Sequence, residues 1–355
     1  MSSPAGSGPQ TRVTLELLHT PPFDATSWFR HVADRAVPGL ERVRWAGEAA
    51  PGASCSSSSQ THRRSGPHRH SITRLLRAPS GTAVAHVHLA PDGSAVSTEF
   101  DLASRSAASD QAWVVERLRR WLDLDADPAA VSAALGADPL LAGPVSARPG
   151  LRIPGTVDPF EIAVRAVVGQ QVSTAAARTV VGRIVTALGE PGPEGLRLFP
   201  TADELAAVPV DVLRAFGLNR GRASTLGVLA RAVADGLTLE HGSDAADVHA
   251  ALLALPGIGP WTADYVVLRA LGHPDVFPAG DLVLRYAIAQ LPGGAGQAVT
   301  VRDARDRAEV WRPWRGYAAQ HLWSAWAARP PLAPEALEAS GGRAVTRVSA
   351  GARPR

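Results

Sequence analysis

The chain runs to 355 residues, 45% hydrophobic and 19% charged, a globular balance with room for two or three domains and no run of the roughly 18 apolar residues a membrane span needs. Its net charge is only +3, yet all 36 Lys+Arg residues are arginine; lysine is absent, so no lysine Schiff base can form, and the side chain that forks onto phosphates supplies the positive charge. Cys55 is the one cysteine, which excludes a disulfide, a cysteine zinc site and an iron–sulfur cluster within the chain and fits a cytoplasmic protein.

The opening MSSPAGSGPQTR lacks the apolar core of a signal peptide. Alternation and β-branching over 12–18 predict a strand, Pro21 and Pro22 break it, and 24–35 reads as a short helix before a strand-like stretch at 41–48. Residues 50–70 are rich in Ser and Gly with scattered histidines, a composition expected of a disordered insert more often than of a metal tract. Strands are predicted over 71–77, 82–89 and 94–100, with Pro91-Asp92-Gly93 as a hairpin turn, and an amphipathic helix over 111–124. From about residue 126 the strand signal stops. Helical spacing recurs over 129–135, 160–188, 201–216, 222–235, 245–255, 261–271, 282–291, 301–310 and 317–328, with Gly and Pro between. The tail 330–355 is rich in Pro, Ala, Gly and Arg and is expected to be disordered. The expected class is α+β. An antiparallel-sheet domain over 1–125 precedes an all-α core, with one helical subdomain from 126–155 together with 274–329 and another over 156–273.

Chemistry concentrates in the stretch LPGIGPWTADYVVLRALGHPDVFPAGDLVLR, from Leu255 to Arg285. Pro256-Gly257-Ile258-Gly259 predicts a tight turn whose backbone can come close to a ligand, since neither glycine has a Cβ. Pro260 then opens a helix where its missing N–H costs least. The amides of Gly257 and Gly259, with the hydroxyl and amide of Thr262, suit a phosphate from one strand of DNA, and the carbonyls of Leu253, Leu255 and Ile258 suit a monovalent cation. A purely structural helical hairpin accounts for the same turn. Asp281, lifted onto a helix start by Pro278-Ala279-Gly280, is a favoured N-cap worth roughly 1 kcal/mol. The cap favours the ionised acid, and an ionised acid beside a cleft can stabilise an oxocarbenium-like sugar and activate water. Trp261 and Tyr265, four apart on one helix, share a face: either a core pair or the wall of a pocket for an extruded base. Gly169-Gln170-Gln171-Val172-Ser173 interrupts the 160–188 stretch with polar residues, as a joint between helices or as the filler of the gap such a base leaves.

Together these residues resemble the helix-hairpin-helix DNA glycosylase superfamily, and within it the bacterial 3-methyladenine DNA glycosylase II (AlkA-like) branch. The likeness runs from Leu151 to Trp326 through LRIPGTVDPFEIAVRAVVGQQVS, LPGIGPWTADY, DVFPAGDLVLR and WRPWRGYAAQHLW. The opening VTLELLHTPPFDATSWF is similar to the branch's N-terminal segment, which implies a TATA-binding-protein-like sheet. The resemblance implies Asp281 as the catalytic acid, Trp261, Tyr265 and Trp323 as walls of the base pocket, and Gly257, Gly259 and Thr262 as phosphate ligands, with Gln170, Gln171 and Ser173 also at the DNA. Relatives that also cleave the backbone carry a lysine where Trp261 stands. The implied activity is therefore monofunctional: excision of alkylated bases such as 3-methyladenine from double-stranded DNA, using water and leaving an abasic site. It implies no cofactor beyond a structural monovalent cation, no membrane, and a nucleoid-associated monomer. Two departures stand out: the family's wedge residue is leucine where this chain has Gln171, and Gly280 and Leu282 replace an acid and an aromatic beside Asp281. The rivals are a non-catalytic hairpin DNA-binding protein, which has no need of Asp281 and its aromatic neighbours, and a glycosylase for oxidised or mismatched bases.

Overall fold

The computed structural model describes residues 11–48, 69–102 and 107–329. The tail 330–355 and all but the last two residues of the 50–70 insert lie outside that set. The N-terminal part is a five-stranded sheet made of β1 (Thr11–Glu16), β2 (Glu41–Arg44), β3 (His70–Ala78), β4 (Gly81–Leu89) and β5 (Val96–Leu102), in the order β1-β5-β4-β3-β2. Every neighbouring pair is antiparallel. Because side chains alternate along a strand, one face presents Ile72, Ala85, Val87 and Phe100. That face packs with Trp28 and Phe29 of helix α1 (Ala25–Arg35) and with Val114, Leu118 and Trp121 of α2 (Ala107–Leu122).

Three expectations shift. The strand expected over 41–48 ends at Arg44, because the chain turns at Gly47 with φ +91°. The last strand starts at Val96 rather than at 94, because Ser94 is tied into the turn by bonds from its N and Oγ to Asp92 Oδ1 at 3.0 and 2.7 Å. His70, assigned to the insert by composition, belongs to β3: it is buried and stacks on Phe29 with centroids 4.5 Å apart.

The remainder is helical: α3 (Pro128–Leu135), α4 (Ala142–Ala147), α5 (Pro159–Val168), α6 (Thr174–Leu188), α7 (Ala202–Ala206), α8 (Val210–Ala215), α9 (Arg220–Ala234), α10 (Ala245–Leu253), α11 (Pro260–Arg269), α12 (Leu282–Gln290), α13 (Val301–Ala308) and α14 (Arg315–Ala327). The 160–188 stretch is two helices, parted at Gly169 and restarted by the Ser173 cap. The 201–216 stretch also divides, since Pro209 lacks the N–H to continue α7 and instead opens α8. Helix α4 carries too short a pattern to be expected. No helix among the described residues is long and apolar enough to cross a membrane.

Two apolar cores result. Phe160, Val164, Ile184, Leu226, Leu229 and Val266 centre one, which also takes in Val37 and Leu40. Leu135, Leu284, Ile288, Trp311 and Leu322 centre the other. Helix α11 feeds both, with Val266 and Val267 in the first and Leu268 in the second. The hairpin and the start of α12 therefore meet where the two cores abut.

Two polar joints fasten the sheet to the helices. Arg74 donates to Glu41 at 3.1 Å and to Glu161 at 2.7 Å, while Arg165 reaches the same two acids at 3.1 and 2.8 Å. Burying each charge costs several kcal/mol unless an opposite one answers it. Burial raises the Glu161 carboxyl, but Arg74 and Arg165 outweigh it and hold the group below its ordinary range. The second joint is Asp123, in the left-handed region at φ +55°. Its Oδ2 accepts from Ile153 N at 2.9 Å and from the Tyr317 hydroxyl at 2.8 Å. Burial pushes this acid up to about 6, against the pull of those two bonds.

Candidate active site

The turn between α10 and α11 uses its glycines differently. Gly257 has φ +88°, and a Cβ there would lie 1.9 Å from Thr225 Oγ1 on α9. Both backbone and packing therefore require glycine. Gly259 has an ordinary φ of −98° and caps α11 without a side chain; a Cβ there would meet nothing within 4 Å. Its bareness serves whatever approaches from outside. Among the described residues neither glycine's amide donates a hydrogen bond. Thr262, expected to offer its hydroxyl and amide outward, turns both inward. It is 2% exposed, its Oγ1 accepts from Gln170 Nε2 at 3.0 Å, and its N donates to Gly259 O at 3.0 Å. Gln170 Nε2 also reaches Gly257 O at 3.1 Å, so the α5–α6 turn is tied to the hairpin. Ser173 is likewise engaged, capping α6 by accepting from Ala176 N at 3.2 Å. Gln171 is exposed between them, in the left-handed region at φ +56°. Of the carbonyls suited to a cation, that of Leu255 accepts from Ile258 N at 3.1 Å and keeps a second lone pair.

The acid stands where the cores abut. Asp281 caps α12 by accepting from Leu284 N at Oδ1, 3.0 Å away. The Trp323 indole donates to the same oxygen at 3.1 Å, and the Trp261 indole donates to Oδ2 at 2.9 Å. Trp261 in turn stacks on Tyr265, with centroids 5.4 Å apart and planes at 23°. The structure thus gathers Asp281, Trp261, Tyr265 and Trp323, drawn from α11, α12 and α14. All the donors to the carboxylate are neutral, and no arginine among the described residues pairs with it. Its orientation is fixed while its charge is left unneutralised. A Cβ at Gly280 would meet Trp261 Cβ at 3.5 Å, an ordinary contact.

One residue of the site escaped sequence reading. Arg269 is 2% exposed, and its guanidinium lies 5.5 Å from the Tyr265 ring centroid and 5.3 Å from that of Trp323. It donates to Pro154 O at 3.0 Å and to Gln320 Oε1 at 2.9 Å, while its Nε has no acceptor. Burial lowers its pKa, and nearby Arg35 lowers it further, yet arginine remains charged. Burial also pushes His31 on α1 well below its ordinary value, with Arg35 and Arg269 adding to the effect. The signal was present: residues 261, 265 and 269 fall at i, i+4 and i+8, so the arginine lies on the aromatic face of α11.

Two family models match the chain, the AlkA N-terminal domain over residues 14–158 and the HhH-GPD superfamily base excision DNA repair proteins over 164–313. The chain is 41% identical over 318 residues to the probable bifunctional transcriptional activator/DNA repair enzyme AlkA of Mycobacterium tuberculosis. That alignment covers 88% of this chain but 57% of the relative, so the chain spans little more than half of its length. Identity to DNA-3-methyladenine glycosylase 2 of Escherichia coli is 39% over 211 residues, 58% of this chain and 70% of that one. The fold is shared with 3-methyladenine DNA-glycosylase from Archaeoglobus fulgidus, at a TM-score of 0.70 and 20% identity, over 89% of this chain and 99% of that one.

Proposed function

The chain belongs to the AlkA-like branch of the HhH-GPD superfamily of base excision DNA repair proteins, and from that footing we propose that it is a monofunctional glycosylase removing alkylated bases from duplex DNA. The observation that carries this reading is the unneutralised Asp281 carboxylate, pinned between two indoles at a helix start. A site that only grips phosphates has no use for an isolated acid walled by aromatics.

In this reading the open amides of Gly257 and Gly259 take a backbone phosphate, and the carbonyls of Leu253, Leu255 and Ile258 would hold a monovalent cation. No other cofactor is called for. Gln171, exposed at its turn, enters the gap left when one nucleotide swings out. The extruded base stacks against Trp261, Tyr265 and Trp323; alkylation leaves it electron-poor, which favours contact with ring faces and makes it a good leaving group. The C1′–N bond breaks with its electron pair going to the base. Asp281 stabilises the positive charge that develops on the sugar, water adds to C1′, and the carboxylate accepts the proton that water sheds. Free base and an abasic site result. Trp261 offers no amine, and the chain holds no lysine, so no imine to the sugar forms through a side chain. The enzyme acts as a monomer and resides in the cytoplasm with the DNA.

The test is base release from methylated duplex, with the products identified by mass. Release of 3-methyladenine, with no borohydride-trapped adduct, is expected. Tight DNA binding without release would return the chain to a non-catalytic hairpin protein, and release of oxidised bases alone would reassign its substrate.

A further inference from the structure

The outer face of the sheet, opposite α1 and α2, carries one pattern twice. Register places Arg44, Ser71 and His88 abreast across β2, β3 and β4, and two residues along it places Arg42, Thr73 and His86 in the same order. Neighbouring strands are about 4.8 Å apart, so each row brings a guanidinium, a hydroxyl and an imidazole side by side.

Over the Arg42 row, an acid is supplied by the chain itself. The loop between α6 and α7 brings Glu194 across, with its carboxylate 2.8 Å from Arg42 Nη1 and 3.2 Å from His86 Nε2. Thr73 Oγ1 lies 3.0 Å from His86 Nδ1. With Nε2–H donated to Glu194, Nδ1 is placed to accept from the Thr73 hydroxyl. Glu194 adopts φ +57° to sit there, a left-handed conformation unfavourable for a non-glycine residue.

The Arg44 row has the same residue classes and no acid over it. Among the described residues, no hydrogen bond or ion pair engages the side chains of Arg44, Ser71 or His88, although all of them, with the occupied row, line one depression of about 180 Å³. The segment 49–68 that joins β2 to β3 contains neither Asp nor Glu, so it cannot furnish the missing carboxylate.

We propose that the Arg44–Ser71–His88 row binds the carboxylate of an external ligand, as its twin binds Glu194. The occupied twin row identifies the group, since there a carboxylate lies against both the Arg42 guanidinium and the His86 imidazole. Burial keeps the His88 imidazole below its ordinary value despite Glu99, with His86, Arg69 and Arg44 contributing, so it acts as a neutral partner. The ligand is a small carboxylic acid or an acidic side chain of a peptide; the row reads the group they share.

The test follows the ring signals of His86 and His88 by NMR in the full chain, titrated with sodium acetate and, at matched ionic strength, with sodium chloride. Saturable movement of His88 with acetate alone is expected, with affinity roughly tenfold weaker in Arg44→Gln, the loss of one charge-assisted contact. Glu194→Gly, whose backbone suits a positive φ, should empty the twin row and make His86 respond to acetate as well. A blocked Asp-containing peptide binding much more tightly than acetate points to a chain as the source, and equal binding points to a small acid. The proposal is overturned if His88 does not move, moves equally with chloride, or binds acetate unchanged in Arg44→Gln. Tighter binding of inorganic phosphate than of acetate overturns the carboxylate assignment.

Discussion

The joint between sheet and helices and the aromatic site both take charge out of water, and they treat it in opposite ways. In the joint, Glu41, Arg74, Glu161 and Arg165 answer one another acid to base, so the field closes on itself. In the site, Asp281 is met by two indoles and a backbone amide, and Arg269 by a carbonyl, an amide oxygen and two ring faces. Neither is given an opposite charge among those contacts. A closed quartet can only hold parts together. An acid oriented by neutral donors still projects its charge onto whatever lies in front of it, and that is what a developing sugar cation requires.

Removing the unanswered charge should have the largest effect. Asp281→Asn keeps a helix cap, so thermal stability should change little, but single-turnover base release should fall about 10²–10⁴-fold while DNA affinity persists. Near-normal release would take the acid out of the chemistry. Opening the closed quartet should do the reverse. Glu161→Gln leaves Arg74 and Arg165 undercompensated and should cost about 3–5 kcal/mol in urea unfolding, with release per folded molecule unchanged. A variant that is as stable as the parent but slower would mean the joint tunes the site.

Asp123 tests the middle ground, an acid met by neutral donors and buried as well. Its folded value, about 6, is above its unfolded one. Its contribution is therefore most favourable below the unfolded value near 4 and is lost as pH rises through about 6. Asp123→Asn, which tolerates φ +55°, should flatten that part of the profile and add roughly 1–3 kcal/mol at neutral pH. Denaturant midpoints at pH 5 and pH 8 read it; a parallel offset at both would exclude the titration. The smallest effect is expected at the hairpin, where Gly259→Ala should fold normally and bind DNA a few-fold more weakly, about 1 kcal/mol. Gly257→Ala should instead lose stability, because its Cβ meets Thr225. Equal behaviour of the two would refute their division of labour.

What could be read in the sequence was local. The glycine turn, the proline that opens α11 and the acid after Pro278-Ala279-Gly280 each announce themselves within a few residues, and the structure places them as the spacing suggested. The strands were recognisable by alternation, though their ends were set by turns. The quartet was not recognisable: spacing alone cannot tell whether Glu161 and Arg165, four apart on a helix, face solvent, and only the fold brings strand residues 41 and 74 to them. Arg269 was hidden for a related reason. A charge on a helix reads as solvent-facing until the ring of Trp323, 54 positions along the chain, is folded against it. Thr262 misled because a hydroxyl near a glycine turn reads as outward when Gln170, distant in sequence, turns it in.

That glutamine has a mechanical consequence. Its neighbour Gln171 rides on a turn whose two ends are both anchored, one by Gln170 to the hairpin backbone and the other by the Ser173 cap. The tip is therefore a short lever, one end of which is tied to the hairpin proposed to hold the phosphate. Under the proposed function, a pull on the hairpin by bound DNA is passed through Gln170 to the turn that carries Gln171.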